Sequence, residues 1–464
     1  MKLDVKVTNL GRFEQGTIKV RPITVLTGPN GTGKSFFTKT LYSLLNVVNR
    51  NTYHLVTSDI ITEIELILKT FGDTVADHDK QVFLQNGLHK IQSELNVAER
   101  WGINKYLEFT VTQVEPAEHL LAAFKQYFSM EINENQSGEQ SRPISDFEKL
   151  ISRLRDSEFL FLQELSQNFF NELADNFQII DITELVTFSK KSAGVVIDGT
   201  TSLHFGKGEN EGNIKADFMM LPRFIDEVSS LSTVVFFESP AYWKIKDALQ
   251  TARQSSRANA LGGQNPDDIL TGVPKYFYDL DQALKTKIKS KGSSEIRDLA
   301  TSLKDELGGE FVFSGDNLVF KDSKSGREIS KNLVSFGMTN LGMIHTLLKN
   351  NVITKGSFVF IDEPETNLHP DWQVLLMNTL IKLAEHEVNV VIATHSMDML
   401  KALEMGMKKR KDQSDDDFMA IHFLDTDGQL LEFDSDQPMA QLAEARSALN
   451  STYESLYFED FAND

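Results

Sequence analysis

The chain has 464 residues, 41% hydrophobic and 25% charged, which suffices for a buried core and for more than one lobe. A formal net charge of −20 argues against diffuse wrapping of nucleic acid, and with no cysteine there are no disulfides, thiolate metal sites or cysteine nucleophiles. The start MKLDVKVTNLGRF lacks an apolar h-region and no stretch reaches bilayer-spanning length, so a cytoplasmic protein without a membrane partner is expected.

Leu3, Val5 and Val7 alternate with polar residues and predict a strand. TIKV predicts a second, and PITVLTG reads as a buried run ending at a glycine. From Ser35 to about Val48 the residues Phe36, Phe37, Leu41, Leu44 and Leu45 recur at helical spacing. Between Asn51 and Asn176 the segments are amphipathic and helical, with Leu/Phe stripes that read as the core of an inserted lobe. No heptad runs long enough for a coiled-coil arm.

Strand-like runs return from Phe177 to Glu238: FQIIDI, GVVIDG, SLHFG and STVVFFES, with GKGENEGN as a loop. Residues 241–308 read as mostly helical, and EFVFSGDNLVFKD as a hairpin turning at Gly315 and Asp316. A helix (Met338 to Lys349), a strand, a helix (Asp371 to His386), the strand NVVIATH and another helix follow. Such alternation predicts an α/β fold with a parallel sheet. The expected division is a discontinuous head, 1–50 and 177–464, around a helical subdomain, 51–176.

Gly28 to Ser35 spell GPNGTGKS, a complete G-x-x-x-x-G-K-[ST], preceded by a predicted strand and followed by a predicted helix. The glycines let successive backbone N–H groups face phosphate oxygens, and the helix adds its positive end. The expected cradle comprises Gly28, Pro29, Asn30, Gly31, Thr32, Gly33, Lys34, Ser35 and Phe36. Lys34 is expected at the terminal phosphates of ATP and the Ser35 hydroxyl on Mg²⁺.

Far downstream, FVFIDEPETNLHP sets Asp362, Glu363 and Glu365 directly after a buried apolar run. Carboxylates that close repel unless a cation or proton belongs there. Asp362 at the end of a strand of the same sheet would hold Mg²⁺, and Glu363 would then be free to polarise a water. Glu365 is expected to face the next helix N-terminus, where Pro370 suits the first helical position.

IDE after a buried strand, NLHP beyond it and ATHS after the next strand resemble the ABC-type ATPase heads of SMC-, RecF- and OLD-like proteins. The resemblance is specific over residues 1–50 and 330–397 and weak between them. It implies a P-loop NTPase fold with a mixed sheet, an antiparallel part and an inserted helical lobe. It also implies that Glu363 activates water, that His395 senses the γ-phosphate, and that Ser335 and Gly337 form a signature covering nucleotide held by a second subunit. Asn367 and Leu368 fall where the family's inter-subunit loop lies. The implied assembly is a head-to-tail homodimer at minimum, with higher oligomers open. The family's glutamine after the strand preceding the helical lobe has no assignable counterpart; the best strand candidate, STVVFFESP, ends in Glu238, Ser239 and Pro240.

EPETNLHP and the N-terminal segment look most like compact OLD-like ATPases of prokaryotic anti-phage systems. That resemblance implies a separately encoded effector, such as a nuclease, and a phage protein as trigger. The rival readings are a RecF- or SMC-like repair ATPase that clamps DNA and a transporter subunit. The runs KTKIKSKGSSEIR and MKKRK are the DNA candidates. DTDG (Asp425 to Gly428) reads as a turn, and too little chain follows His395 for a nuclease domain, so no nuclease activity is expected. The aromatic-acidic C-terminus, with Tyr453 and Tyr457, is a candidate docking segment.

Overall fold

The computed structural model describes residues 1–462 apart from 51, 73–77, 99–102, 132–141, 200, 208–213, 221–223, 225–227, 229–230, 239–271, 290–292, 315–316 and 411–416. In chain order the elements begin with β1 (Leu3–Leu10), β2 (Phe13–Val20), β3 (Ile23–Thr27) and α1 (Lys34–Val48). Six helices follow: α2 (Thr52–Gly72), α3 (His78–Ala98), α4 (Ile103–Thr112), α5 (Val114–Glu131), α6 (Arg142–Arg155) and α7 (Ser157–Phe177). Next come β4 (Ser192–Ile197), β5 (Thr201–Lys207), β6 (Ile214–Met220), β7 (Val234–Phe237), α8 (Lys275–Lys285), α9 (Ser294–Leu307), β8 (Gly309–Ser314), β9 (Asn317–Asp322) and β10 (Glu328–Ser330). The chain closes with α10 (Phe336–Lys349), β11 (Phe358–Asp362), α11 (Pro370–Glu385), β12 (Asn389–Ala393), α12 (Met397–Lys409), β13 (Met419–Phe423) and α13 (Pro438–Ala462).

Two compact units result: one of Met1–Asn46, Phe170–Phe218 and Ser230–Asp464, the other of Val47–Phe169 with Met219–Ser229. In the first, a five-stranded parallel sheet has the order β13-β3-β12-β11-β7. Every residue of β3, β11, β12 and β13 is buried, as a parallel sheet covered on both faces requires. A second sheet, β2-β1-β4-β5-β6, has antiparallel pairing along β2-β1-β4-β5; Leu3, Val5 and Val7 of β1 are buried while Asp4 and Lys6 are exposed. That alternation marks a sheet wet on one face. The β8–β9 hairpin with β10 makes a small third sheet.

The second unit is helical. In α3 the buried residues Leu84, Leu88, Ile91, Leu95 and Ala98 recur at helical spacing and join Ile60, Ile64, Phe124, Phe147 and Leu154 in one core. Among the described residues no helix is long and apolar enough to cross a membrane.

The mixed α/β fold agrees with expectation; one local reading does not. FQIIDI is no strand: α7 runs through Phe177, and Asp181 then caps a short 3-10 helix, Ile182–Leu185, by accepting from Thr183 N–H at 2.8 Å. The apolar pair Ile179–Ile180 imitates a strand, yet Ile180 is exposed. The Gly315–Asp316 turn, residues 208–213 of GKGENEGN, residues 241–271 of the stretch read as helical and parts of both basic runs lie outside the described residues, as do the side chains of Tyr453 and Tyr457; Gly206 and Lys207 of GKGENEGN end β5.

Candidate functional site

Parallel strands end together, and here they gather distant segments at one edge. Ala393 of β12 is level with Leu26 of β3 on one side and Asp362 of β11 on the other. At the usual spacing of about 4.8 Å between strands, the ends of β3 and β11 are about 10 Å apart, with β12 between them. Ligands of open α/β sheets collect outside this carboxyl edge.

Directly after β3 the chain curls into α1 through Gly28, Gly31 and Gly33, whose φ angles are 128°, 76° and 105°. These are left-handed conformations that side chains resist. A Cβ on Gly28 would also sit 2.1 Å from the Leu424 carbonyl oxygen. Lys34 opens α1 and is buried. Its Nζ donates to the Gly28 carbonyl at 2.9 Å and the Pro29 carbonyl at 2.6 Å, and lies 3.4 Å from Thr32 Oγ1. Burial pulls its pKa below the ordinary lysine value, against the opposing pull of Asp362, Glu363 and Glu365. The ammonium is therefore held by its own loop, on weak acceptors that an anion would outcompete.

The remaining cradle residues differ in accessibility. Asn30 and Gly31 are exposed, Pro29 and Ser35 half-buried, Thr32 and Gly33 buried. Phe36 is spent on packing: its ring lies 5.4 Å from that of Phe177 and fills the space above Gly11. It anchors α1 through its side chain, leaving only its backbone for a ligand.

Asp362 is 3% exposed, and neither of its carboxylate oxygens has a hydrogen-bond partner of normal geometry. Burial raises its pKa to about 6; the nearby Ser35 hydroxyl opposes this, Glu238 reinforces it, Lys39 opposes and Glu363 reinforces. Buried polar groups are normally satisfied, so an orphaned carboxylate marks a place for an ion or proton. Carboxylate and hydroxyl oxygens are hard donors of the kind Mg²⁺ takes. Among the described residues no group of three or more His, Asp and Glu could hold a metal alone. A cation at Asp362 and Ser35 would thus take its other ligands from phosphate and water, as Mg²⁺ does.

Glu363 is exposed and has φ 48°, its N–H donating to the Ala393 carbonyl at 2.9 Å. Left-handed backbone in a non-glycine residue costs about 1 kcal/mol or more and recurs at functional turns. Asn367, with φ 64°, is a second such residue, also exposed. Between them the loop doubles back, and this redirects Glu365. Contrary to expectation, Glu365 does not serve the next helix: its carboxylate accepts from Thr394 Oγ1 at 2.8 Å and from His395 N–H at 2.9 Å. The α11 N-terminus has its own partners, a His369 cap, Pro370 in the first turn and Asp371. His395 follows β12 with its Nδ1 3.2 Å from Glu365 Oε1.

Ser335 is the exposed N-cap of α10, accepting from Met338 N–H at 3.3 Å. Gly337 is buried, and a Cβ there would meet Leu368 at 2.8 Å and the Asn367 carbonyl at 3.1 Å. The glycine thus permits close approach of the acidic loop to α10. Ser335 and the acidic loop are neighbours through this contact.

Two carboxylates escaped the sequence reading. Glu365 received the wrong partner, and Glu238 no role. Glu238 is the first residue after β7, the strand next to β11, and there pairs with Lys39 Nζ at 2.9 Å and accepts from the Tyr276 hydroxyl. DTDG is a turn, with Asp425 N–H on the Gln429 carbonyl and Gly428 N–H on the Asp425 carbonyl, both at 3.0 Å.

The sequence profile of the AAA ATPase domain family matches residues 1–400. No curated protein matches the chain. Among solved structures it is similar to an SMC head domain from Thermotoga maritima at 11% identity, covering 91% of this chain and 94% of that one, with a TM-score of 0.34. It is also similar to an Smc head domain with an extended coiled coil, bound to the C-terminal domain of ScpA derived from Pyrococcus furiosus. That match has 8% identity, 96% and 98% coverage and a TM-score of 0.39. Likenesses this loose carry no argument about the site.

Proposed function

The chain belongs to the AAA ATPase domain family, and from that premise we propose that it works as a magnesium-dependent ATPase switch built on the sheet edge described above. The observation that carries the reading is the buried, unpaired Asp362 carboxylate beside Ser35 and Lys34. Gly28 to Ser35 bind the phosphates, with Lys34 leaving its own carbonyls for the terminal phosphate. Ser35 and Asp362 hold Mg²⁺, which when bound neutralises phosphate charge. Glu363 accepts a proton from the attacking water, and His395 faces the γ-phosphate. Glu238 stands in for the glutamine, tying the site to Lys39 and Tyr276.

The exposed Ser335 and Asn367 support a further step, in which two copies close head-to-tail and each covers nucleotide held by the other. On the resemblance of its ends to ATPases of prokaryotic anti-phage systems, the PARIS ATPase subunit among them, the switch holds or releases a separately encoded effector on a phage trigger. A chain that clamps DNA is the alternative; DNA affinity that falls steeply with salt would favour it.

ATP hydrolysis and nucleotide binding by Lys34→Ala and Glu363→Gln test the core of this reading. Lys34→Ala should lose nucleotide binding. Glu363→Gln should bind ATP, lose hydrolysis by about 100-fold or more, and accumulate as a larger species on sizing columns. Normal turnover in Glu363→Gln would remove the assigned base.

A further inference from the structure

Two cross-links fasten the turn after β12 to the loop after β11. The first is Glu365, whose two oxygens take the Thr394 hydroxyl at 2.8 Å and the His395 N–H at 2.9 Å. The second is Gln373 of α11, which donates to the Leu368 carbonyl at 3.0 Å and accepts from Ser396 Oγ at 2.5 Å. The loop with the exposed Glu363 and the turn with His395 are thereby one fastened assembly. A purely structural fastening would be complete with these backbone and hydroxyl contacts. Glu365 does more: its Oε1 also lies 3.2 Å from the ring nitrogen Nδ1 of His395. The carboxylate side chain is 9% exposed while the imidazole is 37% exposed. One ring nitrogen is sheltered beside an anion and the ring itself remains reachable.

We propose that Glu365 is the positioning residue for His395. The approach is one of proximity, without the alignment of a hydrogen bond, and it sets the buried carboxylate against Nδ1. With Nδ1 turned toward Glu365, Nε2 is the nitrogen that meets a phosphate oxygen. Glu365 therefore fixes the ring's orientation, as the buried carboxylate of a hydrolase triad does for its histidine. This rests on the reading of His395 as the phosphate-facing group.

The test is Glu365→Gln, of the same shape but without charge, measured in wild-type and His395→Ala full-length protein. In the wild-type background kcat should fall about 10- to 100-fold with KM moving less than about threefold. In the His395→Ala background the same change should cost less than about twofold, because the group it positions is gone. An equal loss in both backgrounds, or full activity of Glu365→Gln, overturns the proposal; urea unfolding of each variant identifies any loss due to misfolding. Full activity of His395→Ala overturns it while leaving the cradle intact. Undiminished ATP binding by Lys34→Ala instead brings down the underlying site.

Discussion

A buried Asp362 with no hydrogen-bond partner is costly to the folded chain, and the cost has a definite pH dependence. Its pKa is raised to about 6 by burial, while the unfolded chain titrates near the ordinary value of 3.8. Between those values the folded state holds the proton that the unfolded state has lost, so stability falls as pH rises through this window. Above about pH 6 the full penalty is present, up to about 3 kcal/mol. Asp362→Asn removes the charge but leaves an unpaired amide costing about 1 kcal/mol. The variant should therefore be about 1–2 kcal/mol more stable than wild type at pH 7.5 in urea unfolding. The gain should vanish toward pH 4, and the variant should fail to hydrolyse ATP. Equal stability at pH 7.5 would mean that the carboxylate is not stranded. At this scale the sequence was legible where chemistry is spelled locally, as in GPNGTGKS and IDE. The partners of Glu365 lie 29 and 30 residues away; of those of Glu238, Tyr276 lies 38 away and Lys39 much farther. No local period or spacing reports such contacts.

Among the elements, α10 shows how tightly the ATPase unit is packed. A Cβ on Gly342 would lie 2.1 Å from the ring of the buried Phe311. Alanine is the better helix former by about 1 kcal/mol, whereas overpacking a filled core costs about 1–3 kcal/mol. Because that ring is enclosed, the clash should win. Gly342→Ala should lower stability by about 1–2 kcal/mol in urea unfolding, and a stabilised variant would show that the ring has room to move. The helices and buried strands that made a strong period or a continuous apolar run were readable: α10 and α11 begin within two residues of expectation. FQIIDI failed because short apolar runs do not distinguish a strand from the end of a helix. What ended the helix there was Gln178 in left-handed backbone (φ 54°), with the Ile179 N–H turned back onto the Ala174 carbonyl at 3.1 Å, a cap that apolar patterning does not report.

At the scale of the whole chain, the central claim is that segments more than 320 residues apart, Lys34 and Asp362, serve one ligand. Sequence alone carried this only as chemical need: carboxylates without a cation and a phosphate cradle without a metal. The strand order supplies the meeting point, since β12 lies between β3 and β11 and all three end at one edge. The proposed effector rests on resemblance alone, because a partner's identity is not written in an active site. The most direct test is a crystal structure of Glu363→Gln grown with ATP and Mn²⁺, locating the metal by anomalous scattering. One metal should lie on Ser35 and within a bridging water's reach of Asp362, with the triphosphate along Gly28 to Ser35. Nucleotide in the cradle with its metal remote from Asp362, or no nucleotide there at all, would contradict the account.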